Sequence, residues 1–152
     1  MIVSSGTKKP KVDPNAYVAP NAVVSGDVTI EEGCAILFGA VIVSEGAPVV
    51  IGANTVVMEN AVLKASGGSV TRFPLTIGES CIIGPGAYVV GATIEPGCFV
   101  ASGARVFNGA TLEEFATVAL GGIVHIDTRV PKNTRIPMQH IAFVISVTSH
   151  PP

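Results

Sequence analysis

Three histidines, His125, His140 and His150, and three cysteines, Cys34, Cys81 and Cys98, are the residues of this 152-residue chain best suited to acid–base, nucleophilic or metal chemistry. An imidazole exchanges a proton near neutral pH and ligates metals through a free nitrogen. A thiol acts as a nucleophile only as thiolate, which needs a partly exposed, electropositive setting. Only His125 falls inside the patterned part of the sequence. It is therefore the candidate catalytic or ligating residue, its plainer role being at a surface or subunit contact. His140 and His150 lie in a C-terminal tail where no chemistry is expected. Glu45, Glu59, Lys64, Tyr88 and Asn108 form a second candidate set, whose carboxylates, ammonium, phenol and amide suit a small polar ligand in a cleft. The plainer expectation for Glu59 and Lys64 is an interface ion pair.

What must position these groups is a six-residue repeat. Val12, Val18, Val24, Ile30, Ile36 and Ile42 are spaced by six, as are Ile51, Val57 and Leu63, and Ile77, Ile83 and Val89. After one spacing of five, the series resumes at Ile94 and runs through Val100, Val106, Leu112, Val118, Val124 and Val130 to Ile136. Four residues after most anchors stands a small side chain, among them Ala22, Cys34, Thr55, Cys81, Thr93, Cys98 and Thr128. No helical period produces this pattern. It predicts an all-β solenoid of triangular section, each hexapeptide forming one side and each anchor filling the interior. Twenty anchors at three per coil predict six to seven coils. The cysteines then occupy a small interior slot in one corner column, as small hydrophobes rather than catalytic thiols.

Composition agrees. The chain holds 23 Val and 14 Ile against 5 Leu, and β-branched side chains favour strands. Its 17 Gly and 11 Pro punctuate short segments and exclude long helices. A formal charge of −2 argues against a nucleic-acid partner, and the lack of a long apolar run argues against a membrane span. The first ten residues do not read as a secretion leader, and an odd cysteine count does not make a disulfide framework. A cytoplasmic location is expected.

The repeat divides the chain into a lead-in segment 1–10, a prism 11–137 and a tail 138–152. Two interruptions, Val43–Pro48 and Ala65–Leu75, are corner loops, where function commonly sits on a rigid scaffold. Residues that follow the anchors of one face form an outward column: Ser25, Val43, Lys64, Val90, Phe107 and His125. A mostly apolar column calls for a cover, and a homotrimer with Val43, Val90 and Phe107 near the contact supplies one.

The loop positions and several strings resemble the γ-class carbonic anhydrase family of hexapeptide proteins across about residues 10–138. These strings include Ser25-Gly26-Asp27-Val28-Thr29-Ile30, the stretch from Val49 to Lys64, Pro74 to Gly78, Ala101 to Leu112 and Gly121 to Pro137. The resemblance implies a single-stranded left-handed parallel β-helix. It also implies a divalent metal, zinc in the family, held by three histidines across a subunit interface, activating water against carbon dioxide. Matched string by string, those ligand positions fall on Lys64, Pro85 and Val90, none of them a metal ligand of comparable quality. The family's Arg-Gly-Asp falls on Val43-Ser44-Glu45, and its glutamine on Met58 beside Glu59.

The resemblance thus implies the scaffold with its reaction centre largely erased. No metal or other cofactor is expected, and the expected role is small-molecule binding or scaffolding at the subunit cleft. The alternatives are a hexapeptide acyltransferase using coenzyme A with His125 as base, or a purely structural assembly subunit.

Overall fold

The computed structural model describes residues 1–143, so His150 and the end of the tail lie outside the described residues. The chain winds as a left-handed parallel β-helix. Its first face stacks eight parallel strands in the order Ile2–Val3, Val23–Ser25, Val41–Ser44, Val62–Gly67, Tyr88–Val90, Arg105–Val106, Ile123–Val124 and Ile141–Ala142. The second face runs from Lys11–Val12 to Arg129–Val130, and the third from Tyr17–Val18 to Arg135–Ile136, with seven strands each. Ile2–Val3 pairs with Val24 and Ser25, and Ile141–Ala142 pairs with Ile123 and Val124, so the stack extends a rung beyond residues 11–137 at either end.

All twenty anchors lie in strands, and seventeen are buried; Val12, Val18 and Ile136, near the ends of the prism, are half-buried. Register keeps like on like: Leu63 lies between Ile42 and Val89, and Val106 between Val89 and Val124. The small slot is filled as the repeat requires, with Cys34, Cys81 and Cys98 all within 2% of full burial. One position differs. Thr93 points to solvent and Ala92 takes the interior, because the five-residue spacing between Val89 and Ile94 removes one residue from that corner.

Corners turn through a residue with positive φ, usually Gly, Asn or Asp. At Gly33 (φ 72°) a Cβ would sit 2.0 Å from the amide oxygen of Asn54 in the next coil. The positive φ favours glycine there, and a larger residue would also displace the Asn54 amide. The interruption after Leu63 lets its strand run on past the corner to Gly67 and fold back, pairing antiparallel with Arg72–Phe73.

Burial separates the two sides of each strand, and this gives a direct test. Ile77→Ala should destabilise the fold by about 2–5 kcal/mol in chemical denaturation, since it empties a filled interior. Thr76→Ala, on the exposed side of the same strand, should change stability by about 0.5 kcal/mol or less.

Candidate functional site

The candidate residues fall into two groups on one chain. Lys64 and Val90 are in-register neighbours at the edge where the first face meets the second, with Val43 on the other side of Lys64. There the Lys64 ammonium lies 3.6 Å from a Glu45 carboxylate oxygen of the same chain. Glu45 is largely exposed, and such a pair contributes about 0–1 kcal/mol. One coil on, Tyr88 and Phe107 pack ring to ring at 6.1 Å with planes tilted by 55°. The amide of Asn108 is 3.1 Å from the hydroxyl of Ser66, which donates to its oxygen and ties the long corner loop to the next coil.

Glu59 and Pro85 lie at the other end of the first face, on the corner shared with the third, where the Gly86 N–H donates to the Glu59 carbonyl. The three positions matched to the family's ligands are thus divided between an edge and a corner of the prism. Their side chains do not fit a metal: an ammonium already paired with a carboxylate, a pyrrolidine ring and an aliphatic group offer no lone pairs. Among the described residues no group of three or more His, Cys, Asp or Glu side chains is placed to hold a metal ion.

His125 is exposed and continues the Lys64–Val90 column two coils beyond Val90, about 10 Å away. His140 is also exposed, with its Nδ1 2.9 Å from the Met138 carbonyl. Among the described residues neither is hydrogen-bonded or ion-paired to a nucleophile or a carboxylate that would orient it for proton transfer.

The outward faces differ in kind. On the first, Val23, Val41, Val62, Tyr88 and Ile123 precede the anchors, with Arg105 the one charged residue among them; on the third, Ala35, Val56, Ile82 and Phe99 do so, giving way to Thr117 and Arg135 toward the C-terminal end. The second face presents Thr29, Thr76, Thr93 and Thr111, with Glu31, Glu95 and Glu113 beyond its anchors. Two apolar faces therefore share one corner, and the third side of the prism is polar. A shallow groove of about 200 Å³ crosses the apolar third face, lined by Met58, Pro85, Phe99, Leu120 and Met138, with Arg135 at its rim.

The thiols form an interior column. Each Sγ faces a carbonyl of the coil above: Cys34 at 3.0 Å from Gly52, Cys81 at 3.3 Å from Glu95, and Cys98 at 3.1 Å from Glu113. Burial lifts the thiol of Cys98 from 9.0 to about 11, with smaller contributions from the neighbouring Cys81 and Glu95. Burial raises Cys34 and Cys81 in the same direction. Thiols held protonated in this way are poor nucleophiles.

No family model matches the chain. Among curated proteins it is similar to gamma carbonic anhydrase 2, mitochondrial, of Arabidopsis thaliana. They are 33% identical over 126 residues, which is 82% of this chain and 45% of that protein. Gamma carbonic anhydrase 1, mitochondrial, of the same plant is 34% identical over 126 residues, 82% of this chain and 46% of that protein. The chain spans about half the length of the curated relatives it matches. Among solved structures, a Bacillus cereus protein, an acetyltransferase by assignment, superposes with a TM-score of 0.81 at 25% identity, covering 88% of this chain and 76% of that one. A hexapeptide transferase family protein from Anaplasma phagocytophilum gives 0.80 at 26% identity, with coverage of 88% and 76%.

Repeat, register and structural likeness together define a hexapeptide-repeat protein of the left-handed β-helix class. Within that class the chain is γ-carbonic-anhydrase-like.

The thiol column predicts a pH dependence of stability. All three folded-state values are raised, so the contribution is fully present below pH 9 and is lost as pH rises toward 11, where the unfolded chain releases thiol protons that the folded chain retains. Denaturation measured across that window should show falling stability, with a shallower fall in Cys98→Ala. Under native conditions a thiol reagent should label all three cysteines slowly; rapid labelling would contradict their interior placement.

Proposed function

We propose that the chain assembles as a homotrimer and serves as a small-molecule-binding or scaffold subunit, not as a metal-dependent carbon dioxide hydratase. The observation that carries this reading is the Lys64–Glu45 ion pair at 3.6 Å, set in register beside Val90 where the resemblance places imidazoles. A fixed ammonium repels a divalent cation, and an aliphatic neighbour cannot offset that repulsion. Glu45, Lys64, Tyr88 and Asn108 of one copy, with Glu59 of the next, would line the remaining cleft.

The trimer is supported by the two dissimilar apolar faces that flank one corner. Dissimilar faces favour a head-to-tail contact, in which each first face turns toward a threefold axis and its far edge meets the first–third corner, and with it the third face, of the next copy. Such a ring covers the half-buried Val43 and Phe107 beside Val90, which the single chain already buries, and it closes over the groove on the third face while leaving the threonine and glutamate face in water. It also brings the Lys64 edge of one copy toward the Glu59–Pro85 corner of its neighbour, which a single chain keeps apart.

A second reading, coenzyme A-dependent acyl transfer, draws on the transferase neighbours and the apolar groove. It lacks an oriented base, since His125 is exposed and unpartnered by any carboxylate among the described residues. A coenzyme A binding measurement separates the two readings. No helix among the described residues is long and apolar enough to cross a membrane. We place the protein in a reducing compartment, the cytoplasm, on its three buried free thiols. The named plant relatives are mitochondrial.

Light scattering should return three times the 15.5 kDa chain mass, and Ile82→Asp with Phe99→Asp should reduce it to one. A stable wild-type monomer at working concentration would defeat the assembly. Elemental analysis should find no stoichiometric zinc, iron or cobalt, and carbon dioxide hydration should match the buffer blank. Activity lost on chelation would overturn the reading. Installing a metal site should require Lys64→His, Pro85→His and Val90→His together.

A further inference from the structure

Three segments that break the hexapeptide rule meet around one cavity. The lead-in turns back on itself at Ser5 and Lys8, whose backbones exchange hydrogen bonds of 2.8 and 3.0 Å. The loop after Ser44 lies beside it, and the returning strand Arg72–Phe73 closes the third side. Together they bound a cavity of about 250 Å³ lined by Ser5, Lys8, Asp27, Ser44 and Arg72. The repeat alone could not build it.

Glycines let these segments approach. At Gly46 (φ 78°) a Cβ would lie 2.3 Å from the Gly67 carbonyl oxygen. At Gly26 (φ 86°) it would press on Ser44, at 3.2 Å from both its Cβ and its carbonyl oxygen. The walls of the cavity are thus set by backbone-to-backbone packing.

The charges on those walls are unbalanced. The Arg72 Nε–H donates to the Gly46 carbonyl at 3.1 Å, which fixes the guanidinium and leaves its terminal amino groups without a carboxylate partner among the described residues. The Lys8 ammonium is 4.0 Å from Asp27, the far limit of an ion pair. The Ser44 hydroxyl spends its proton on the Ala47 carbonyl at 2.7 Å, which shapes the loop. The backbone N–H groups of Gly46 and Ala47 have no protein acceptor among the described residues. Two cations face one carboxylate here, in a chain whose net charge is −2.

We propose that this cleft is a binding site for a small oxyanion of the phosphate or carboxylate class. Arg72 and Lys8 supply charge-assisted donors, and the Ser5 hydroxyl and the Gly46 and Ala47 amides complete the set. The cavity is too polar for an apolar ligand and smaller than pockets that take drug-sized molecules. It lies within one chain, so it operates whether or not the trimer forms, and its test does not depend on the assembly proposed above.

The test is titration of the full chain with inorganic phosphate, and separately with acetate, at low ionic strength against matched chloride. Binding is read by calorimetry and by backbone amide shifts in nuclear magnetic resonance. Saturable shifts are expected at Gly46, Ala47 and Arg72. Arg72→Gln and Lys8→Gln should each weaken binding about tenfold, the loss of one hydrogen bond to a charged group. Asp27→Asn should tighten it. Tighter phosphate than acetate assigns the site to phosphate-type ligands, and the reverse order to carboxylates. Lys8 and Arg72 are exposed, and thermal melts should confirm folding of both variants. Shifts that do not saturate, or wild-type affinity in the Lys8→Gln, Arg72→Gln double variant, would overturn the proposal.

Discussion

Everything in this molecule depends on coils stacking in parallel and in register, so that the N–H groups along each side find carbonyls in the coil above. One ladder illustrates it. Tyr17 donates to Cys34, Ala35 to Thr55, Val56 to Cys81, Ile82 to Cys98, Phe99 to Ala116 and Thr117 to Thr134, at 2.8 to 3.1 Å. A fixed stacking distance gives every coil the same interior cross-section. One branched aliphatic side chain per side and one small side chain per corner fill it, which is why the chain manages without Trp and with so little Leu. The corner slot accepts Ala, Cys or Thr on the same terms. Thr55 donates to the Gly78 carbonyl at 2.7 Å and accepts from the Cys81 N–H, a hydroxyl doing what the neighbouring thiols do more weakly.

Much of this was legible in the sequence because the constraint acts on single residues at a fixed period. The anchors, the cysteine column and the outward column of Lys64, Val90 and His125 follow from counting. The misplacement of Thr93 marks where counting stops: a corner shortened by one residue shifts the interior slot to Ala92. The outer rungs fall outside the six-residue count because the anchor of the last is Ala142, too small to stand out, and that of the first is Ile2, separated from the next anchor by the turn at Ser5–Lys8. The Lys64 partner was not legible either. That Glu45 of the same chain reaches it depends on the path of an irregular loop, and no period encodes that path. Nothing in the spacing of Lys8, Asp27 and Arg72 points to a common site. The available signal was that Lys8 and Arg72 lie in segments outside the repeat, whereas Asp27 sits within an unbroken stretch of it.

The scaffold and the chemistry it carries are separable. Anchors and corners are satisfied from Val12 to Ile136, whatever projects outward from the same strands. An outward position can therefore exchange imidazole for ammonium or isopropyl with no cost to the interior. What such exchanges alter is the surface: a charge pair at one edge, two apolar sides and a polar one. Likeness in sequence to carbonic anhydrases and in fold to transferases is compatible with one interior, and the outward residues decide between uses of it.

Because each coil rests only on the coils directly above and below, the solenoid has the mechanics of a wound thread. Tension on its ends would unwind it a turn at a time, each turn releasing a similar length of chain for a similar loss of contacts. The close backbone approach of Gly46 and Gly67 interrupts that uniformity. It fastens the loop of one turn to the arm of the next, a clasp that must open before either turn can peel away, and it divides the thread into a short amino-terminal length and a longer remainder.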